Sequence, residues 1–341
     1  MSVRMNVTTG PKLSLAADVK RPVPQAPPSA SPKSSARGFR TRTRKAGLFI
    51  VALIIGVGCR AGSFRVATYN LESYLDTATQ TRAIKSAESK AKIRESIQAV
   101  GPDVLALEEV GTVSALLELR DSLKADGCDF PYWQHLSCAD TNIHVALLSK
   151  FAFIASRPHT NDNYLLDGRR FHVSRGFAEV DIKVGPNYSF TLIAAHLKSK
   201  RAFGQADEAE MRFEEAKLLR EKIDARLALD PNANLVVLGD FNDSKDSASI
   251  RAVIGRGKTK LVDTMPAERN GDDRQAPGGR CVNWTHYYAK EDSYQRIDFV
   301  MLSRGMARTW ITNETYVLTL PNWGIASDHR PLVATFDTGQ K

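Results

Sequence analysis

The stretch Gly239-Asp240-Phe241-Asn242-Asp243 places two carboxylates and an amide directly after the apolar run Leu235-Val236-Val237-Leu238. A charge buried without a partner costs several kcal/mol, so an apolar strand does not gather such groups for stability. Turn chemistry alone accounts for Gly, Asn and Asp after one strand. The pattern recurs, however. Asn70, Glu109, His196, Asp240 with Asn242, Asp298, and Asp328 with His329 each stand where an apolar run ends. Strand ends in a sheet fold can converge on one cleft. Carboxylate and amide oxygens suit a hard divalent cation, Mg²⁺ first and Mn²⁺ as an alternative. Two imidazoles and further carboxylates suit proton transfer and phosphate contact.

The elements that must position these groups alternate along the chain. SFRVATYNLE (63–72) reads as a strand ending at Asn70, and DVLALEEV (103–110) as a buried strand ending on Glu108 and Glu109. Between them, 81–100 has helical apolar spacing and stops at Gly101-Pro102. A second helix is expected over 112–126, and the long amphipathic segment 207–229 reads as a helix with a solvated acidic face. Further strands are expected at YWQHL, HVALLSK, AFIASR, 176–184, 189–197, 234–240, 296–303 and 330–336, and a loop at 264–280. Strands outnumber helices, and the helices fall between them, which argues for sheets covered by helices.

The formal charge of +9 over 341 residues suggests a nucleic-acid partner until it is located. Residues 1–60 hold eleven Lys and Arg and one acid, leaving 36 basic and 37 acidic residues in the remainder. Whole-chain pI therefore says nothing about a binding face on the folded part. Residues 1–36, rich in Pro, Ser and Ala without apolar period, read as a disordered tail. Segment 37–61 has a basic start, a short apolar run and Cys59, the form of a signal peptide or lipoprotein-type segment, with a short membrane anchor as the alternative. Export, as a periplasmic, cell-surface or secreted protein, is expected, with membrane attachment through this segment. Residues 62–341 read as one domain, and a monomer is expected. Cys128 and Cys138 could pair after export or stay free thiols, and no zinc spacing occurs.

TYNLE, ALEEV, AAHLKS, GDFND, RIDFVMLS and SDHRP follow the order seen in the endonuclease/exonuclease/phosphatase superfamily, which the chain resembles over 64–336. The resemblance implies a four-layer α/β sandwich, two packed mostly antiparallel sheets flanked by helices. It implies a Mg²⁺-dependent phosphoesterase, foremost a phosphodiesterase of the nuclease type acting on nucleic acid or a small phosphodiester. A lipid or sugar-phosphate hydrolase of sphingomyelinase type is the alternative, and a non-catalytic binding module a further one. In the resemblance Glu109 is the main metal ligand, supported by Asn70 and Asp328. Asp240 positions or deprotonates the attacking water, and Asn242 donates to phosphate oxygens. His329, oriented by Asp298, is base or phosphate contact; His196 contacts phosphoryl oxygens or serves as acid; Arg175 binds phosphate. One departure is visible: Glu108 stands where the family usually has Gln, adding a carboxylate beside the metal ligand. Arg175 reads equally as a solvated charge, and VNWTHYY (282–288) as core packing or a stacking surface. His286 and four other histidines match no motif and are expected to be structural or exposed.

Overall fold

The computed structural model describes residues 62–269 and 281–339, all within the unit Val57–Lys341. The readings of 1–36, of 37–61 with Cys59, and of the loop portion 270–280 lie outside the described residues. The first half of the fold runs β1 (Ser63–Tyr74), α1 (Ala87–Val100), β2 (Val104–Val110), α2 (Val113–Ala125), β3 (Tyr132–Leu136), β4 (His144–Ser149), β5 (Ala152–Ser156), a hairpin β6 (Asn163–Leu166) and β7 (Arg169–His172), β8 (Phe177–Gly185) and β9 (Tyr188–Ala195). It continues through α3 (Glu208–Leu229), β10 (Leu235–Asp240), α4 (Ala248–Ile254), β11 (Val262–Asp263), β12 (Ala267–Glu268), a hairpin β13 (His286–Tyr288) and β14 (Ser293–Gln295), β15 (Asp298–Leu302), α5 (Arg304–Ala307), β16 (Trp310–Val317) and β17 (Leu332–Asp337).

Two large sheets have the orders β12-β16-β17-β1-β2-β4-β3 and β11-β15-β10-β9-β8-β5. The pairs β1–β2, β12–β16 and β9–β10 are parallel, and the other pairs of these sheets are antiparallel. Side-chain alternation builds the layers. Val104 and Ala106 of β2 meet Val236 and Leu238 of β10 between the sheets. Leu105 and Leu107 face outward onto Ile93 and Ile97 of α1 and Leu116 and Leu119 of α2. Leu235 and Val237 face outward onto Leu219 and Ile223 of α3. Strands covered on both faces read as continuous apolar runs, and burying each such Val, Leu or Ile contributes about 1.5–3 kcal/mol. This is the four-layer α/β sandwich that the sequence implies.

The boundaries differ from expectation where polar chemistry takes over. Helix α1 starts at Ala87, not near 81, because the Ser86 side chain caps it by accepting from the Ser89 amide at 3.0 Å. Strand β1 does not end at Asn70. It runs to Tyr74 through a bulge against β2, with Glu72 and Ser73 at positive φ. Cys128 and Cys138 are both free, and burial and Asp140 push the Cys138 thiol up to about 11.

Candidate active site

Strand β10 delivers the first group. Gly239 has φ 132°, and a Cβ there would lie 2.0 Å from the Ala195 carbonyl oxygen, so only glycine lets β10 close on β9 at this point. Asp240 follows, 1% exposed. Its Oδ1 accepts from the Asn242 amide at 2.8 Å and its Oδ2 from Asn70 Nδ2 at 2.9 Å. Asn242 sits in the left-handed region at φ 53°, and its side chain donates to the Leu197 carbonyl at 3.0 Å. An amide nitrogen carries two N–H groups, so one remains for a ligand. Burial raises the Asp240 carboxyl to about 7, with Asp298 adding to the rise and His329 opposing it.

The second group comes from β15 and the turn before β17. His329 Nδ1 donates to Asp298 at 2.9 Å (Oδ2) and 3.2 Å (Oδ1), and its Nε2 lies 3.8 Å from Asp240 Oδ2. Burial opposes charge on this imidazole, but Asp298 and Asp240 outweigh it and hold His329 well above its ordinary range. Hydroxyls fix the pair. Thr285 Oγ1 donates to Asp298 Oδ2 at 2.6 Å. Ser327 Oγ donates to the Asn70 carbonyl at 2.8 Å and accepts from the His329 amide at 3.0 Å. Arg330, 1% exposed, lies over the Trp284 ring and pairs with Glu268, so Trp284 serves packing.

His196 completes this cluster, its Nε2 3.5 Å from Asp240 Oδ2. Burial, with Arg175 and His329 nearby, holds it well below its ordinary range, so it stays neutral and can donate or accept but does not carry an acidic proton. Its buried Nδ1 has no hydrogen-bond partner among the described residues. Arg175 is buried, donates to the Leu197 carbonyl at 3.1 Å and lies 3.4 Å from Asp140. It is therefore not a solvated charge. Helix α3 contributes more than a solvated face: its buried Glu215 accepts from the Lys198 amide at 2.7 Å and the Ser174 amide at 3.2 Å, bracing both segments.

Carboxylates dominate the β1–β2 end. Glu109 has φ 60°, a strained conformation for a residue of its size. Its carboxylate pairs with Arg82 at 2.7 Å and accepts from Ser73 at 3.0 Å. Asn70 bridges two neighbours, Oδ1 accepting from the Glu72 amide at 2.9 Å while Nδ2 holds Asp240. Burial raises Glu72, and Asp328 and Glu109 add to the rise against Lys85. Glu72 feels the charges of Asp328 and Glu109, while Lys85, Arg82 and His286 pair with Glu72, Glu109 and Asp328 in turn; carboxylate oxygens are the donor chemistry that a hard divalent cation fits. Two clusters among the described residues, Asp240–Asp298–His329 and His286–Asp328–His329, bring donor atoms within 4.8 Å of one another, and Glu109 belongs to neither.

Glu108 is not an added charge. It is fully buried, with Oε1 accepting from Thr68 at 2.8 Å and Oε2 without a hydrogen-bond partner among the described residues. Burial chiefly, then Asp298 and Asp240, raise it well above the carboxylate range against the Thr68 hydrogen bond. It is a neutral acid of the same shape as the Gln usual there.

Sequence reasoning missed Arg82, Glu72, Thr285 and Glu215, none of which stands at the end of an apolar run. It also assigned His286 no part. The structure corrects this: the His286 ring centroid is 4.5 Å from that of His329, and His286 Nε2 is 3.5 Å from Asp328 Oδ2.

The site is a buried Asp–His pair beside a second Asp, with carboxylates from β1 and β2 next to it, set at the strand ends of a two-sheet sandwich. Residues 67–329 match the model of the endonuclease/exonuclease/phosphatase family, and the chain belongs to that family. Its members hydrolyse phosphate esters, and this chain is an enzyme of that type. The fold is similar to the human Nocturnin catalytic domain with bound sulfate (17% identity, 81% of this chain and 94% of that chain, TM-score 0.57). It is also similar to sphingomyelinase C from Streptomyces griseocarneus (19%, 81% and 99%, TM-score 0.54). A third similar structure is D. rerio TDP2 complexed with single-strand DNA product (17%, 81% and 99%, TM-score 0.54). A search of curated proteins returned no match.

Proposed function

We propose that this chain is an exported, divalent-cation-dependent phosphodiesterase that cuts short or single-stranded nucleic acid, or a small phosphodiester, without sequence readout. The observation that carries the reading is Asp240, buried, bonded to Asn70 at 2.9 Å and facing both His196 at 3.5 Å and His329 at 3.8 Å. Its carboxyl, poised at about 7, takes a proton from the attacking water. His329, held charged by Asp298, donates from Nε2 to a phosphoryl oxygen. Neutral His196 and the free N–H of Asn242 donate to the same oxygens, aimed at charge that develops in the transition state. Glu109 and Asp328, with Glu72 and the Asn70 amide beside them, would hold a Mg²⁺ or Mn²⁺ ion. Such an ion, when bound, supplies Lewis-acid stabilisation of the phosphoryl and leaving oxygens.

The near balance of charge beyond residue 60 supports contact with few phosphates, since long duplex tracking needs many Lys and Arg. A similar fold carrying a single-strand DNA product supports the nucleic-acid arm. Export rests on the basic and apolar run at 37–58 and is tested by the mass of the mature N-terminus, expected at or just after Cys59; a cytosolic chain starting near Met1 would refute it. Among the described residues no helix is long and apolar enough to cross a membrane. The deciding experiment compares plasmid nicking with hydrolysis of oligonucleotides, simple phosphodiesters, phosphomonoesters and sphingomyelin. Each is run with Mg²⁺, Mn²⁺, Ca²⁺ and chelator. Cleavage of sphingomyelin or monoesters alone would overturn the nucleic-acid reading, and full activity in chelator would overturn the cation requirement.

A further inference from the structure

His286 stands on β13, one antiparallel bridge from His329, and the Tyr287 amide donates to the Asp328 carbonyl at 2.9 Å. Backbone pairing therefore fixes the three residues against one another. His286 Nε2 is 3.5 Å from Asp328 Oδ2, and His329 Nε2 is 3.8 Å from Asp328 Oδ1. A tetrahedral ion with N and O ligands at about 2.0–2.2 Å needs its donor atoms roughly 3.3–3.5 Å apart. Each imidazole is close to that from a different oxygen of Asp328, and one donor atom from each residue lies within 4.8 Å of the other two, so a modest turn of the Asp328 carboxylate closes the set. Asp298 holds His329 Nδ1 at 2.9 Å and so orients Nε2, which becomes a ligand as the ion displaces its proton to solvent. That carboxylate–histidine arrangement orients imidazole ligands of zinc. Asp328 retains 37% and His286 16% side-chain exposure, so an ion can enter from solvent.

We propose that His286, Asp328 and His329 form a second, nitrogen-rich cation site that takes a Zn²⁺-type ion, and that filling it silences the hydrolase by withdrawing Nε2 of His329. Two imidazoles and one carboxylate, with water in the fourth position, match zinc. Mg²⁺ demands near-octahedral oxygen and is disfavoured here. Binding at this site stands on geometry alone; only the silencing rests on the catalytic reading of His329.

Zn²⁺ binding is measured on the full chain without Mg²⁺, because Asp328 is shared with the Mg²⁺ group, and the rate is then read with Mg²⁺ present. Calorimetric titration with ZnSO₄ is expected to show one tight site, and Co²⁺ is expected to give the visible absorption of tetrahedral coordination. His286→Ala should weaken Zn²⁺ at least about tenfold, the lower end of what even an outer partner of a metal site costs. Its own Mg²⁺-supported rate, whatever its level, should lose its sensitivity to Zn²⁺. His286→Gln gives the same comparison should the alanine variant fail to fold. Wild-type zinc affinity in both variants, or an octahedral cobalt spectrum, would overturn the site. Tight zinc that depends on His286 but leaves the rate unchanged would overturn the silencing. If none of the substrates is hydrolysed, the calorimetric and cobalt measurements still decide the site.

Discussion

Glu108→Gln tests whether a buried acid stands in as a neutral amide mimic. Gln keeps the shape and the acceptor that Thr68 reaches at 2.8 Å. Burial, with Asp298 and Asp240, raises the folded-state Glu108 well above the ordinary 4.5 of the unfolded chain. Above pH 4.5 the unfolded wild type has lost this proton and the folded wild type has kept it. The folded state then binds more protons, so wild-type stability falls as pH rises, until the folded pKa is reached. One proton corresponds to about 1.4 kcal/mol per pH unit. The Gln variant has no such dependence, and neutral replaces neutral, so the field on Asp240 and His329 is preserved. The variant should therefore gain on wild type as pH rises above 4.5, with a limiting slope of about 1.4 kcal/mol per unit that holds until the folded pKa is reached. Urea unfolding followed by tryptophan fluorescence in chelator, at pH 5, 6, 7 and 8, measures this from the midpoint at constant slope. A stability difference that does not change with pH would mean that Glu108 ionises in the folded protein, and the amide-mimic argument would fail.

Four other outcomes follow from the site and the charge of the chain. Asp240→Asn should lower kcat by roughly 10²–10⁴-fold and abolish the acid limb expected near pH 7 in the wild-type rate profile; a limb that persists in the variant would reassign the base. Arg82→Ala should free Glu109 and lower the cation concentration for half-saturation by up to about fivefold, because a partly exposed pair contributes no more than about 1 kcal/mol. Glu109→Gln should raise that concentration, and calorimetry showing neither change would remove Glu109 from the ligand set. Binding of single-stranded DNA to Asp240→Asn lacking residues 1–61 should fall shallowly with salt, as for roughly two or three phosphates, and a steep slope would indicate a duplex tracker.

The fold and the strand-end residues were legible because they obey short periods. Leu235 to Leu238 announces a strand buried on both faces, and the polar residues that follow it have no packing reason to be there. Asp298 and His329 were legible for the same cause, although 31 positions separate them. What could not be read was set by long-range register. Strand β16, WITNETYV, mixes polar and apolar residues because it lies near a sheet edge beside the two-residue β12. His286 looked like one aromatic among several in VNWTHYY, and only its bridge to His329 reveals its place. Arg82 lies before α1 with no period to mark it, and it reaches Glu109 only because β1 bulges over Glu72 and Ser73.

That bulge explains why the site sits where it does. A regular parallel β1–β2 pair would keep its side chains alternating between the two buried faces, and neither face can hold three carboxylates. The register shift after Asn70, with positive φ at Glu72, Ser73 and Glu109, breaks the alternation and gathers Ser73 and Glu109 at the strand ends. Asn70, the last residue in register, turns its amide instead across the seam to Asp240 on the other sheet, 170 positions away. One strained segment therefore does two things: it gathers the carboxylates and ties them to Asp240. The strain is sustained by the covered sheets on either side, whose apolar faces leave β1 and β2 no alternative register that does not bury charge.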